Sequence, residues 1–206
     1  MPQAHSGLYE HYFAETPKAK RKKVVIEEFL GGKLFKFDSD TSVFSKTKID
    51  AGTKLLVRHM EIQPMDTVLD LGCGYGPIGI SAAQLAKKVY MTDINNRATE
   101  LAERNARNND TMNVEVRTGD GLSPVKELMF DVILTNPPIR AGKKVVFRMI
   151  EDAKLHLNPN GSFWLVARTQ QGAKSIKKKM EEVFGNAEYV AMKGGYRLIR
   201  SIRPTE

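Results

Sequence analysis

The 206-residue chain is predicted to be an α/β protein, with a mainly parallel sheet between helices, and three observations predict it. Short apolar runs alternate with helical periodicity along most of the chain, which is the pattern of strands joined by crossover helices. One such run, Thr67-Val68-Leu69-Asp70-Leu71, enters a glycine turn, Gly72-Cys73-Gly74-Tyr75-Gly76, and then a helical stretch. Another, Phe130-Asp131-Val132-Ile133-Leu134-Thr135, ends on Asn136-Pro137-Pro138-Ile139. Proline has a fixed φ and no N–H, so that strand stops and presents an amide at its carboxyl end.

The elements follow in order. Residues 1 to 23 are polar and basic, closing on Lys18-Ala19-Lys20-Arg21-Lys22-Lys23. Val24-Val25-Ile26 and Leu34-Phe35-Lys36-Phe37 flank Gly31-Gly32 and predict a small β-hairpin. Residues 50 to 60 read as a helix, 67 to 71 as the first core strand, and Ile80 to Lys87 as the helix after the glycine turn. Lys88-Val89-Tyr90-Met91-Thr92 is the second strand and ends in Asp93. Asn96 to Asn108 places Ala98, Leu101, Ala102 and Ala106 on related turns of a helix. The third strand, Val114 to Arg117, ends near Asp120, and the fourth runs from Phe130 to Thr135. Lys144 to Leu157 reads as a helix stopped by Asn158-Pro159-Asn160-Gly161. A fifth strand (Ser162 to Ala167), a helix (Ala173 to Phe184) and a closing antiparallel pair (Ala187 to Ala191 with Tyr196 to Ile202) complete seven strands. Right-handed crossovers would put helices on both faces. Residues 1–50 form a basic extension carrying the hairpin, and residues 51–206 the main domain.

The strand ends carry the chemistry. Glycines at alternate positions let a backbone turn sharply and let a ligand approach without Cβ interference. By itself such a turn is weak evidence, and Pro77 stands where a dinucleotide fingerprint needs its last glycine. Asp70 would add negative charge beside a pyrophosphate; it suits a ligand with a cationic or hydroxyl group. Asp93, at the tip of the second strand, is placed for ribose hydroxyls, and Asp120 for an adenine amino group. Each has a plainer role open to it, Asp93 as a helix cap and Asp120 in a turn. The Asn136 amide offers one acceptor and one donor group, which suits a planar amine.

With Val68-Leu69-Asp70-Leu71-Gly72-Cys73-Gly74-Tyr75-Gly76, Asp93, Asp120 and Asn136-Pro137-Pro138-Ile139-Arg140 in place, the chain resembles a known family over roughly residues 30 to 203. These are the S-adenosylmethionine-dependent methyltransferases with a Rossmann-like fold, in the branch of the small-subunit ribosomal RNA methyltransferase C group. Val43-Phe44-Ser45 with Asp50-Ala51-Gly52-Thr53, and Gln170-Gln171-Gly172-Ala173, add to the likeness. The resemblance implies that Asp70, Gly72, Cys73, Gly74, Gly76, Asp93, Ile94, Asp120, Gly121 and Asn136 bind S-adenosylmethionine. It implies that Asn136, Pro137 and Pro138 are the catalytic segment, with the amide and the Pro137 carbonyl gripping an exocyclic amine. Catalysis would then come from positioning and from dispersing developing charge, with no metal.

Two departures matter. Relatives that act on exocyclic amines often place Tyr or Phe after the prolines to stack on the base, and here Ile139 stands there. Phe44 is the substitute candidate, although an aromatic in that setting also suits a core. The duplicated amino-terminal half of the better-known bacterial members does not occur in this chain.

A net charge of +8, from 32 Lys and Arg against 24 Asp and Glu, agrees with a polyanionic partner. Cationic clusters lie at Lys18 to Lys23, at Lys174 with Lys177 to Lys179, and at Lys193, Arg197, Arg200 and Arg203. Arg140 and Lys143 share the loop that would hold the base and are assigned to substrate phosphates, together with Phe44 and Ile139 as substrate contacts. Cys73 is the single cysteine, and four scattered histidines lack ligand spacing, so a metal site is not expected. No apolar run approaches membrane-spanning length and the start lacks a signal-peptide core, so a cytoplasmic protein is expected, with a monomer favoured.

The function expected is methylation of a base in structured RNA, with guanine N2 of small-subunit ribosomal RNA preferred. Cytosine C5, another exocyclic amine of tRNA or rRNA, and a small-molecule or protein-amide acceptor are the alternatives. A non-enzymatic RNA-binding factor and a nicotinamide dehydrogenase fit the intact glycine turn and the Asn-Pro-Pro segment less well.

Overall fold

The structure, a computed structural model, describes residues 23–40, 48–138 and 142–205. In chain order its elements are β1 (Lys23–Leu30), β2 (Lys33–Asp40), α1 (Ala51–His59), β3 (Thr67–Leu71), α2 (Pro77–Ala82), β4 (Lys88–Asp93), α3 (Asn96–Asn108), β5 (Val114–Thr118), β6 (Phe130–Thr135), α4 (Lys143–Leu155), β7 (Leu157–Arg168), α5 (Ala173–Phe184), β8 (Glu188–Lys193) and β9 (Tyr196–Ile202). The main sheet has the order β5-β4-β3-β6-β7-β9-β8. Its first five strands are parallel, and β9 runs antiparallel to both β7 and β8. This is the predicted seven-stranded Rossmann-like sheet with its closing pair, beside a separate two-stranded hairpin, β1-β2.

Alternation along the strands sorts the buried residues into two cores. Val68, Val132, Leu134, Trp164 and Val166 face one side, with the residues of α1, α2 and α3. Leu69, Leu71, Ile133, Phe163 and Leu165 face the other, with α4 and α5. Each fully buried side chain of this size contributes about 1.5–3 kcal/mol, and both faces of the central strands are covered. The hairpin joins the first core: Ile26, Leu30, Phe35 and Phe37 are buried there, and Phe37 meets Tyr75 edge-on at 5.9 Å. Two amides, one in α3 and one at its C-cap, hold the hairpin's backbone. Asn105 accepts from Asp38 N–H and donates to Asp38 C=O, while Asn109 does the same with Lys36.

Boundaries of α2, α4, β7 and β8 differ from expectation. The helix after the glycine turn runs over Pro77–Ala82 rather than from Ile80 to Lys87. It starts early because Gly76, at φ 94°, turns the chain directly into Pro77 at the first helical position. It stops early because the Asn113 amide donates to Ala83 C=O and Ala86 C=O, 2.9 Å each, and draws off the carbonyls a longer helix would use. Helix α4 ends at Leu155, because Leu157 already pairs with Phe130 of β6. Asn158-Pro159-Asn160-Gly161 is therefore an irregularity inside β7, with Asn160 at φ 63°. The closing strand β8 is longer at its end than expected, reaching Lys193.

Candidate active site

The sheet gathers four strand ends on one edge. β3 and β6 are in register at Asp70 and Leu134, and Thr135 Oγ1 donates to Leu71 C=O at 2.8 Å, so Asn136 leaves β6 beside Gly72. β3 and β4 are in register at Leu71 and Thr92, and Thr92 C=O accepts from Gly72 N–H at 2.8 Å and Cys73 N–H at 2.9 Å. Asp93 C=O in turn accepts from Gly119 N–H at 2.9 Å, which carries the end of β5 alongside. Across the edge the order is Asp120, Asp93, Gly72, Asn136. The strand order reverses between β3 and β6, and open α/β sheets bind ligands at such a reversal, beyond the carboxyl ends of the strands.

The glycine turn has an open side and a packed side. Gly72 and Gly74 have φ of 76° and 57°, and nothing lies within 4 Å of where a Cβ would stand on either. Gly76, by contrast, would strike Ile80 at 3.0 Å and Ala102 at 3.3 Å, so it serves the packing of α2 against α3. The Cys73 side chain is buried, and burial, with the charges of Asp93 and Asp70 adding, pushes its thiol well above the usual range. It remains a protonated thiol within the turn.

Asp70 is wholly buried beneath this turn. Its Oδ2 accepts from Gly79 N–H at 2.8 Å, while its Oδ1 has no hydrogen-bond partner among the described residues. Burial pushes its pKa up to about 7, against the pull of the Gly79 N–H and with the Asp93 charge adding to the rise. Gly79 is a residue the sequence did not single out. A side chain there would collide with Met91 and crowd Asp70, so only glycine brings this N–H to the carboxylate.

Asp93 accepts from Gly74 N–H at 2.8 Å and Asn95 N–H at 2.9 Å. Burial raises its pKa, opposed by those two N–H groups and by that of Ile94. It thus ties the glycine turn to the start of α3, whose cap is Asn95 rather than Asp93. Asp120 is exposed, and Arg148 Nη2 lies 2.7 Å and 2.8 Å from its two oxygens. Gly121 follows at φ 57° with open space at its Cβ position.

Asn136 differs from the expectation in one respect. Its Nδ2 donates to Asp50 Oδ2 at 3.0 Å and to Thr53 Oγ1 at 3.1 Å. Both amide hydrogens are thereby committed within the protein, and among the described residues Oδ1 has no partner and is left for another molecule. Pro137 and Pro138 follow in irregular backbone. Phe44, Ile139 and Arg140 lie outside the described residues. Lys143 is the exposed first residue of α4. The residues behind Asn136 (Asp50, Thr53, Tyr196 and Arg168) were not identified as site residues in the sequence, since the Asn136–Asp50 contact spans 86 residues and the Tyr196–Asp50 contact 146. Among the described residues no group of three or more His, Cys, Asp or Glu is arranged to hold a metal ion.

Residues 34–200 match the family model described as the methyltransferase small domain. The chain is 43% identical over 198 residues to the protein YbxB of Bacillus subtilis, covering 94% of this chain and 98% of that protein. It is 31% identical to ribosomal RNA large subunit methyltransferase G of Streptomyces avermitilis, over 78% of this chain and 43% of that one. It is 32% identical to ribosomal RNA small subunit methyltransferase C of Idiomarina loihiensis, over 76% and 46%. The chain thus spans less than half the length of these two ribosomal RNA methyltransferases. Among solved structures, the T. thermophilus 16S rRNA N2 guanine methyltransferase, in complex with AdoMet and guanosine, superimposes with a TM-score of 0.81 at 22% identity, over 91% of this chain and 52% of that one. This likeness establishes the fold.

Proposed function

Since the chain belongs to the methyltransferase small domain family, we propose that it transfers a methyl group from S-adenosylmethionine to an exocyclic amine of a base in ribosomal RNA, with guanine N2 preferred. The observation that carries this reading is the Asn136 amide, whose two hydrogens are committed to Asp50 and Thr53 and whose Oδ1, among the described residues, remains as an acceptor beside the glycine turn. An acceptor at that place grips a group that has an N–H to donate.

The residues at the sheet edge fit the cofactor. The orphaned Oδ1 of buried Asp70 is the partner a cofactor's ammonium needs, and the open sides of Gly72, Gly74 and Gly121 let its methionine and adenine parts approach the backbone. Asp93 keeps lone pairs for ribose hydroxyls beyond those used by Gly74 and Asn95. Asp120 is already engaged by Arg148, and its part at the adenine end is shared with that contact. Cys73 and Ile94 line the same turn and strand tip. When bound, S-adenosylmethionine supplies a methyl group on a sulfonium centre.

The protein's own task is then orientation. Asn136 Oδ1 and the Pro137 carbonyl take the two N–H groups of the amine, which aims the nitrogen lone pair and lets the developing positive charge spread onto two acceptors. Cytosine C5 has no N–H for this grip, and the buried, protonated Cys73 thiol is unsuited to the nucleophilic step that C5 chemistry usually employs.

Ribosomal RNA is favoured as substrate by the names of the two relatives at 31% and 32% identity and by the net charge of +8. Guanine N2 is favoured by the 16S rRNA N2 guanine methyltransferase solved with AdoMet and guanosine, whose fold this chain shares. The decisive experiment incubates the protein and labelled S-adenosylmethionine with total RNA from cells lacking the gene, then maps the labelled nucleoside by mass spectrometry. Label in N2-methylguanosine at one ribosomal position is the expected result. Label in protein with none in RNA would move the acceptor to a side-chain amide, and label at cytosine C5 would overturn the amine grip.

A further inference from the structure

Asn136 is held from behind by a chain of side chains outside the grip itself. Asp50 is the N-cap of α1, and its Oδ2 accepts from Gly52 N–H at 3.0 Å and Thr53 N–H at 3.4 Å as well as from Asn136. Its Oδ1 accepts from the Tyr196 hydroxyl at 2.6 Å. That hydroxyl accepts from Arg168 Nε at 2.7 Å, and the Arg168 guanidinium lies over the Tyr196 ring at 4.8 Å. Gly52 makes the arrangement possible: a Cβ there would stand 2.8 Å from the ring of Tyr196.

This network settles which way the amide faces. A carboxylate that accepts from two backbone N–H groups and a phenol is an acceptor on every side. An Asn136 flipped to present its oxygen would set two acceptors against each other. Tyr196 stays a donor, since burial, then its hydrogen bond to Asp50, raises its pKa. Tyr196 and Thr53 are themselves buried, while Asp50 and Asn136 are half-buried, so the two buried partners shield one side of this contact. An unsupported amide samples two orientations about a broad terminal torsion, and a misplacement of about 1 Å can cost about 100-fold in rate.

We infer that Asp50 is the positioning residue of Asn136, held in turn by Tyr196 and Arg168, and that it makes the site select acceptors with an N–H to donate. The inference rests on the reading of Asn136 as the amine grip.

The test uses Asp50→Ser, Tyr196→Phe, Asn136→Ala and the double variant Asp50→Ser/Asn136→Ala. Serine retains a capping oxygen for α1 but is too short to reach Asn136 and Tyr196. Methyl transfer into total RNA from cells lacking the gene is followed in single turnover at saturating labelled S-adenosylmethionine, with cofactor affinity measured separately. Asp50→Ser should slow transfer at least about tenfold, Tyr196→Phe by a few-fold, and neither should change cofactor affinity by more than about twofold. The double variant should be no slower than Asn136→Ala alone, because both lesions remove one grip.

The side-chain NH2 of Asn136, identified in a proton–nitrogen spectrum by its loss in Asn136→Ala, should be protected from exchange in the wild type and unprotected in Asp50→Ser. Multiplying effects in the double variant, or a protected NH2 in Asp50→Ser, would overturn the inference while leaving the grip intact. Wild-type transfer by Asn136→Ala would overturn the grip, and the inference with it.

Discussion

Asp70 shows how burial sets the charge of a single carboxylate. Its pKa of about 7 arises chiefly because burial disfavours the ionised form. A carboxyl raised in this way binds protons more tightly in the folded than in the unfolded chain. The contribution of Asp70 to folded stability in the absence of cofactor therefore falls as pH rises from about 4 to 7 and levels off above 7. Asp93, raised by burial too, adds in the same direction. In the proposed cofactor site the sign is opposite, because an ammonium beside Oδ1 would favour the carboxylate and expel its proton. S-adenosylmethionine affinity should rise up to about tenfold per pH unit below pH 7 and flatten above it. Titration calorimetry in buffers of different ionisation enthalpy at pH 6.5 should detect proton release, and Asp70→Asn should abolish both the release and the pH dependence. A pH-independent affinity in the wild type would remove Asp70 from the ammonium site. Asp70 was legible in the sequence because a strand, an acid and a glycine turn follow one another within a few positions. Gly79 was not, since its role depends on Met91 of the neighbouring strand.

At the scale of elements, α3 is the clamp that joins the hairpin to the sheet. Asn105 alone accepts from Asp38 N–H at 2.7 Å and donates to Asp38 C=O and to Tyr75 C=O, 2.9 Å each, so one buried amide links β2 to the glycine turn. Replacing it with Ala leaves three backbone groups without partners, at about 1–3 kcal/mol for each one that water cannot reach. Asn105→Ala should lower stability by about 3 kcal/mol, which for a chain of this size is a fall of roughly 6–12 °C in Tm. Hydrogen exchange should show the Asp38 amide losing protection first. An unchanged Tm with the Asp38 amide still protected would mean that the apolar face of the hairpin, Ile26, Leu30, Phe35 and Phe37, docks it unaided. The hairpin itself was readable from two apolar runs around Gly31-Gly32. Its docking was not, because helical periodicity counts Asn105 and Asn109 merely as polar positions on an otherwise alanine- and leucine-rich face.

For the whole molecule, the excess of positive charge is distributed less freely than the sequence implies. Lys177 and Lys178 pair with Glu181 and Glu182 one helical turn on, Lys179 pairs with Glu151, and Arg200 bridges Glu61 and Glu188 while covering Trp164. Lys143, at the start of α4, and Lys174, at the start of α5, are exposed, and Lys143 Cε passes 3.6 Å from the Cβ position of Gly172. These two lysines flank the edge that carries Asn136. Lys143→Ala with Lys174→Ala should reduce the slope of log K against log salt for RNA binding by about 1.4, at about 0.7 for each phosphate that is no longer neutralised. Lys178→Ala, which opens an exposed pair with Glu182, should change that slope much less. Equal slopes in the wild type and the double variant would place the RNA backbone elsewhere.

The sequence by itself determined the sheet, the glycine turn, the edge that carries the proposed site and the amide presented there. Each of these is written in a window of a few residues: strand periodicity, positive-φ glycines and a proline stop act locally, so neighbouring residue types suffice to read them. The tertiary structure alone decided what stands behind those groups. Asp50, Tyr196 and Arg168 come from the residues before α1, from β9 and from the end of β7, and they converge on Asn136 only because β9 inserts next to β7 in the sheet. Hydrogen-bond partnership depends on distance in space and on which atoms can donate, and neither has a period along the chain. The donor at the Asn136 amide was therefore open to a substrate in the sequence and is closed to it in the fold.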